Sequence, residues 1–242
     1  MDIANPIYDV VFKYLMNNNR VAKLIISTII GMEVETLEFR ATEKTSHLEN
    51  RALTIYRLDF AANIITREGK QKKVLIEIQK AKFSQDIIRF RRYLGQEYQD
   101  QNNCVKKKTS KGTSITAIPL ITIYFLGYPL EHTKAPVVRV NRKYYDAVTG
   151  EEIEERESFI ESLTHDSYVI QIPYLRQKRQ NELLTVLSIF DQKKQTRDVH
   201  ILRIQENDFP EKYREIIRRL QRAIAEPEVR DIEDPGVKTK IS

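Results

Sequence analysis

Two carboxylates stand where a pair of β-strands would bring them face to face. Residues Thr54 to Lys80, TIYRLDFAANIITREGKQKKVLIEIQK, read as two strands joined by a tight turn. The first alternates: Tyr56, Leu58, Phe60, Ala62 and Ile64 take one face, and Ile55, Arg57, Asp59, Ala61 and Asn63 the other. In the second, Val74, Ile76 and Ile78 oppose Leu75, Glu77 and Gln79. Arg67-Glu68-Gly69 fits a three-residue hairpin loop with Gly69 at the left-handed position. A loop centred on Glu68 pairs residues equidistant from it, Asp59 with Glu77 and Arg57 with Gln79. Directly opposed side chains have Cβ atoms about 4.5–5.5 Å apart, and opposed like charges destabilise a sheet. Two carboxylates so placed need a cation between them, or one must hold a proton. A hard divalent ion with oxygen ligands, such as Mg²⁺, meets that need. A water-facing strand surface rich in Asp, Glu and Gln accounts for the same pattern without any metal.

The elements around this hairpin follow from periodicity. Residues 6–31 predict one or two helices, with Val10, Val11, Tyr14 and Leu15, then Val21, Leu24, Ile25 and Ile29, at helical spacing, a break at Asn17-Asn18-Asn19 and a stop at Gly31. Glu33 to Phe39 predicts a short strand. A helix is expected over 85–102, where Ile87, Ile88, Phe90, Leu94 and Tyr98 recur and Arg89, Arg91 and Arg92 crowd one turn. Cys104 to Gly112, CVKKKTSKG, reads as a basic loop, and Ser114 to Leu126 as one central apolar strand. Further strands are expected over 137–145 and 168–172, and amphipathic helices over 181–190 and 209–225.

These pieces, in this order, resemble the PD-(D/E)XK nuclease superfamily, and within it the branch called PD-(D/E)XK nuclease family transposases or recombination-promoting nucleases. The resemblance rests on the opening Asp9-Val10-Val11-Phe12-Lys13, similar to the branch's D-x-x-F-K signature, then Asp59, Glu77-Ile78-Gln79 with Gln where most members have Lys, Arg92-Tyr93 opening a helix, and the later apolar strand. It implies a restriction-endonuclease-like α/β fold, with a mixed central sheet flanked by helices. It also implies metal-dependent cleavage of DNA phosphodiesters. Asp59 and Glu77 would hold Mg²⁺ or Mn²⁺, and Gln79 would orient a water in place of the usual Lys. Asp9 and Lys13 form the amino-terminal motif. They also lie one turn apart, where they could simply pair with each other. Lys13, Lys80, Lys82, Arg89 and Arg92 are candidate DNA contacts, with solvated faces as the plain alternative. The expected partner is DNA, and the expected assembly extends to a homodimer. The alternative function is a nuclease-fold module that binds DNA or protein without cutting, for which Gln79 is the support.

Composition bounds the rest. The chain has 242 residues and a formal charge of +6, a modest basic excess that permits a polyanion partner without demanding one. One cysteine, Cys104, excludes an internal disulfide, and His47, His132, His165 and His200 show no metal-binding spacing. Seven glycines and the absence of GxGxxG, GxxxxGK[ST], GxSxG and HExxH argue against a nucleotide cradle or a serine or zinc hydrolase. No apolar run approaches the ~20 residues of a membrane span, and MDIANPIYDV lacks a signal pattern, so a cytoplasmic location is expected. The expected organisation is a nuclease-like domain over 1–175, a helical carboxy-terminal extension over 176–225 and a disordered tail over 226–242.

Overall fold

In a computed structural model of the chain, residues 1–40, 43–46, 54–57, 59–79, 86–109, 112–175 and 181–230 are described. The chain runs through β1 (Asp2–Ala4), α1 (Asp9–Met16), α2 (Asn19–Ile30), β2 (Val34–Phe39), β3 (Glu43–Ser46), β4 (Thr54–Arg57), β5 (Phe60–Thr66) and β6 (Gln71–Gln79). It continues through α3 (Asp86–Gln99), β7 (Cys104–Thr109), β8 (Gly112–Ala117), β9 (Leu120–Leu126), β10 (Val137–Val140), β11 (Tyr144–Tyr145) and β12 (Glu152–Ile153). It ends with α4 (Ser158–Leu163), β13 (His165–Gln171), α5 (Glu182–Leu187), β14 (Ile201–Arg203), α6 (Glu211–Ala223) and α7 (Pro227–Arg230). The result is a mixed α/β protein divided into two compact units, residues 23–175 and residues 1–22 with 176–242. Among the described residues, no helix is long and apolar enough to cross a membrane.

Unit 23–175 is built on a six-stranded mixed sheet in the order β10-β13-β9-β6-β5-β2. Strands β6, β9 and β13 run parallel to one another; β5, β2 and β10 run antiparallel to their neighbours. Successive residues Lys73 to Glu77 of β6 are all buried, as expected of a strand covered on both faces. One face carries Phe60, Ala62, Ile64, Val74, Ile76, Ile121, Ile123 and Phe125. The carboxy-terminal part of α2 lies on it, where Tyr168 Oη donates to the Ile30 carbonyl at 3.0 Å. The other face is mixed in polarity and lies under α3, whose Phe90 and Tyr93 pack on Ala61 and Leu75. α2 stops at Gly31, whose φ of 68° costs a glycine no strain.

Three expected strands are divided. Residues 54–66 are not one strand: β4 pairs with β3 in a separate two-stranded ribbon, and β5 alone joins the central sheet. Residues 114–126 are split at Pro119, which has no N–H to give a ladder, into β8 and β9. The basic segment after Cys104 is therefore not a loop, since β7 and β8 form an antiparallel hairpin outside the central sheet. Residues 137–145 are likewise divided into β10 and β11.

In the other unit, β1 pairs antiparallel with β14, and α1 and α6 pack together over a core that includes Ile3, Phe12, Leu15, Phe190, Tyr213 and Ile217. The Arg219 guanidinium donates to the Tyr14 and Leu15 carbonyls at the end of α1 and lies 4.3 Å over the Tyr14 ring. It thereby satisfies carbonyls that a helix end leaves without partners. α7 falls where a disordered tail was expected; Pro227 can start a helix because its missing N–H has no intrahelical partner there, and Val229 is buried. The rest of that tail, 231–242, lies outside the described residues.

Candidate metal and phosphate site

The hairpin that aligns the carboxylates is closed by a three-residue loop. Thr66 N donates to Lys70 O at 2.9 Å and Gly69 N to Thr66 O at 2.8 Å, with Gly69 at φ 74°. From there the β5–β6 ladder runs without slip from Ile65↔Gln71 to Phe60↔Ile76. Asp59 is the next residue, at the bend that precedes β5 and just outside the paired ladder, while Glu77 follows Ile76 in β6. The rung beyond does not form. Arg57 pairs with Glu43 in the β3–β4 ribbon rather than with Gln79, because the chain leaves the sheet at this bend and takes a new partner strand.

Glu77 is buried, 2 % exposed, while Asp59 is half-buried. On its other side in the sheet Glu77 neighbours Tyr124 of β9. The Tyr124 ring meets Phe90 of α3 edge-on, with centroids 4.5 Å apart. Burial pushes the Tyr124 phenol up, and the Glu77 carboxylate pushes it further against a hydrogen bond from Thr122. Burial also pushes the Tyr93 phenol up, followed by Glu97 and then Glu77. Both phenols therefore stay in the protonated form in the surroundings of the buried Glu77 carboxylate. Arg40 follows β2 on the same face, ion-paired to Glu38 at 3.1 Å.

A buried polar cluster lies two rungs away on this face. Lys73 of β6 is ion-paired to Glu97 of α3, the two side chains being 5 % and 0 % exposed. Asn103 completes the cluster: its Oδ1 accepts from Lys73 Nζ at 2.9 Å, and its Nδ2 donates to Glu97 Oε2 and to the Glu97 carbonyl, each at 2.7 Å. Sequence reasoning missed this trio. The signal was present in the apolar stripe of α3: Glu97 follows Phe90, Tyr93 and Leu94 at the next stripe position, and a carboxylate there requires a buried partner.

The remaining candidates are dispersed. Gln79 closes β6 beside Leu126 of β9. Arg92 is exposed on α3, Arg89 belongs to the same helix, and Lys80 and Lys82 lie outside the described residues. Arg92-Tyr93 does not open a helix but stands in the middle of α3, because Asp86 to Phe90 already continue the helical stripe N-terminal to it. Asp9 and Lys13 lie on α1 in the other unit, where Lys13 Nζ bonds Asp9 Oδ2 at 2.8 Å, the i,i+4 pair that their spacing allowed.

Among the described residues, no group of three or more His, Cys, Asp or Glu side chains could hold a metal ion. A pair of carboxylates is still a sufficient donor set for Mg²⁺, which keeps most of its waters and binds through one or two carboxylates plus substrate phosphate. The buried Glu77 and half-buried Asp59 carboxylates are oxygen donors of the type such a hard ion takes. No protein-family model, curated protein or solved structure matches this chain.

Proposed function

We propose that this protein is a divalent-metal-dependent DNA endonuclease with a restriction-endonuclease-like core, in which Asp59 and Glu77 are the metal ligands. The observation that carries this reading is the unslipped β5–β6 register, whose ladder ends at Phe60↔Ile76 with Glu77, 2 % exposed, as the next residue of β6 and Asp59 as the residue just before β5. Carboxylates brought close together favour a shared cation, and oxygen donors of this kind would take a hard divalent ion. The order hairpin, helix α3, then a strand parallel to β6 supports the fold half of the reading.

A bound Mg²⁺ or Mn²⁺ would supply charge stabilisation at the phosphate and a more acidic water. The chain's own residues do the rest. Glu77, fixed in β6 beside Tyr124, would offer ligand oxygens with little freedom to lose. Asp59, half-buried at the bend before β5, would supply the second carboxylate. Gln79 would accept from and orient the attacking water, but a neutral amide cannot offset developing negative charge as a Lys would. That substitution favours a second reading, a module that holds DNA without cutting it. Cutting both strands of a duplex would need two copies of the site, which is the basis for expecting a homodimer.

The test is cleavage of supercoiled and linear DNA with Mg²⁺ or Mn²⁺ by the wild type, Asp59→Asn and Glu77→Gln, with metal affinity followed by calorimetry. Metal-dependent cutting that both variants lose, together with metal affinity, supports the nuclease. Unchanged activity and affinity in both would overturn it. Metal-free DNA binding without cutting would favour the second reading.

A further inference from the structure

We propose that the β7–β8 hairpin is an anchored basic arm that grips the phosphate backbone of duplex DNA. The choice of duplex as partner rests on the function proposed above; the arm itself rests on separate observations. From Gln101 to Leu130 the chain has no Asp or Glu, and its four cations are Lys106, Lys107, Lys108 and Lys111. Five hydroxyl residues, Thr109, Ser110, Thr113, Ser114 and Thr116, lie among them between Cys104 and Ala117, and both side-chain types donate to phosphate. The fold makes this run a two-stranded ribbon, with Lys106↔Ile115, Lys107↔Ser114 and Lys108↔Thr113 paired and Lys106 and Ile115 exposed. Such a ribbon is narrow enough to enter a major groove and, at about 20 Å, long enough to follow a backbone.

The root of the arm is fixed. Ile118 N donates to Asn103 O at 2.7 Å across its base, and the Asn103 side chain is held by the buried Lys73–Glu97 pair. α4 packs against β8 on one side. Lys73 and Glu77 are four residues apart on β6, about 13 Å, the rise of roughly four base pairs. The arm is therefore rooted in the same strand that carries Glu77, and a duplex it holds is held relative to that carboxylate. A solvated charge run needs no such anchor.

The experiment measures binding of a labelled 30-base-pair duplex in EDTA across a salt series, so that no cleavage enters. The variants are Lys106→Gln/Lys107→Gln/Lys108→Gln and a charge-matched control, Lys70→Gln/Lys134→Gln/Lys193→Gln, taken from exposed sites off the arm. Three lost phosphate contacts should flatten the log–log salt slope by about 2.7 and weaken binding on the order of tenfold or more at 0.1 M salt. The control should change neither by as much. Equal losses in the two triples, no loss in the arm triple, or no duplex binding by the wild type overturns the arm. So does binding to vesicles containing phosphatidylserine, but not to duplex, that needs the three lysines. An arm result that holds while the wild type fails to cut with Mn²⁺ leaves the arm standing and removes the nuclease. Cutting that depends on Asp59 and Glu77 but ignores the arm triple does the reverse.

Discussion

Replacing Lys73 with Met tests the buried polar cluster directly. Lys73 and Glu97 are 5 % and 0 % exposed at their side chains, and Asn103 is the third member of the cluster. Lys73→Met keeps the unbranched volume and removes the charge, leaving the Glu97 carboxylate buried without its cation. Breaking a buried pair by removing one partner costs about 3–5 kcal/mol, because the surviving charge is uncompensated. For a unit the size of residues 23–175, each kcal/mol moves the melting temperature by about 2–4 °C, so a fall of about 6–20 °C is expected. The double variant Lys73→Met/Glu97→Leu removes both charges. It should recover most of the loss, ending within about 1–3 kcal/mol of wild type, the remainder being the desolvated Asn103 amide. Urea titration followed by circular dichroism, run as a double-mutant cycle, measures both costs and their coupling. A single-variant cost below about 1 kcal/mol would refute the reasoning, as would a double variant as unstable as the two singles added, since either would mean that water reaches the pair.

Glu77→Gln should abolish the Mg²⁺-dependent rise in melting temperature expected of the wild type; a rise that survives in the variant would count against Glu77 as a metal ligand. Gly69→Ala should cost about 1–2 kcal/mol, because φ of 74° strains an L-residue, and Gly69→Asn should cost less; equal costs in thermal melts would contradict the assigned turn. Burial, with the Arg142 guanidinium adding, holds the His165 imidazole below its ordinary value. Its contribution to stability is then fully present above the unfolded value of about 6.5 and is lost as pH falls through the folded value. Arg142→Gln should raise the His165 titration midpoint in an NMR pH series, and an unmoved midpoint would remove Arg142 as a cause.

The register of the central hairpin was legible because it depends on local chemistry alone. A strand alternates with period two, and a glycine at the third loop position sets which residues face each other. Hence the pairing could be read from the chain, and the ladder from Ile65 to Phe60 follows that register. The breaks at Asn17-Asn18 and at Gly31 were legible for the same reason. What the sequence could not decide was partner choice. Nothing local tells Arg57 to pair with Glu43 rather than continue opposite Gln79, because strand propensity is blind to which edge is free. The division at Pro119, and with it the conversion of a basic loop into a ribbon, follows from the same competition for edges.

The buried trio shows the limit most clearly. Lys73, Glu97 and Asn103 come from a strand, a helix and a short turn, and each looks like a surface residue in its own neighbourhood. Only the packing of α3 onto the sheet removes them from water together, and desolvation then makes each require the others. Composition and periodicity by themselves determined the α/β class, the hairpin and its register, since these are set by bonds between near neighbours. Tertiary structure decided which strands share a sheet, where the basic ribbon is rooted and which charges are buried, because burial is a property of surfaces brought together from distant parts of the chain.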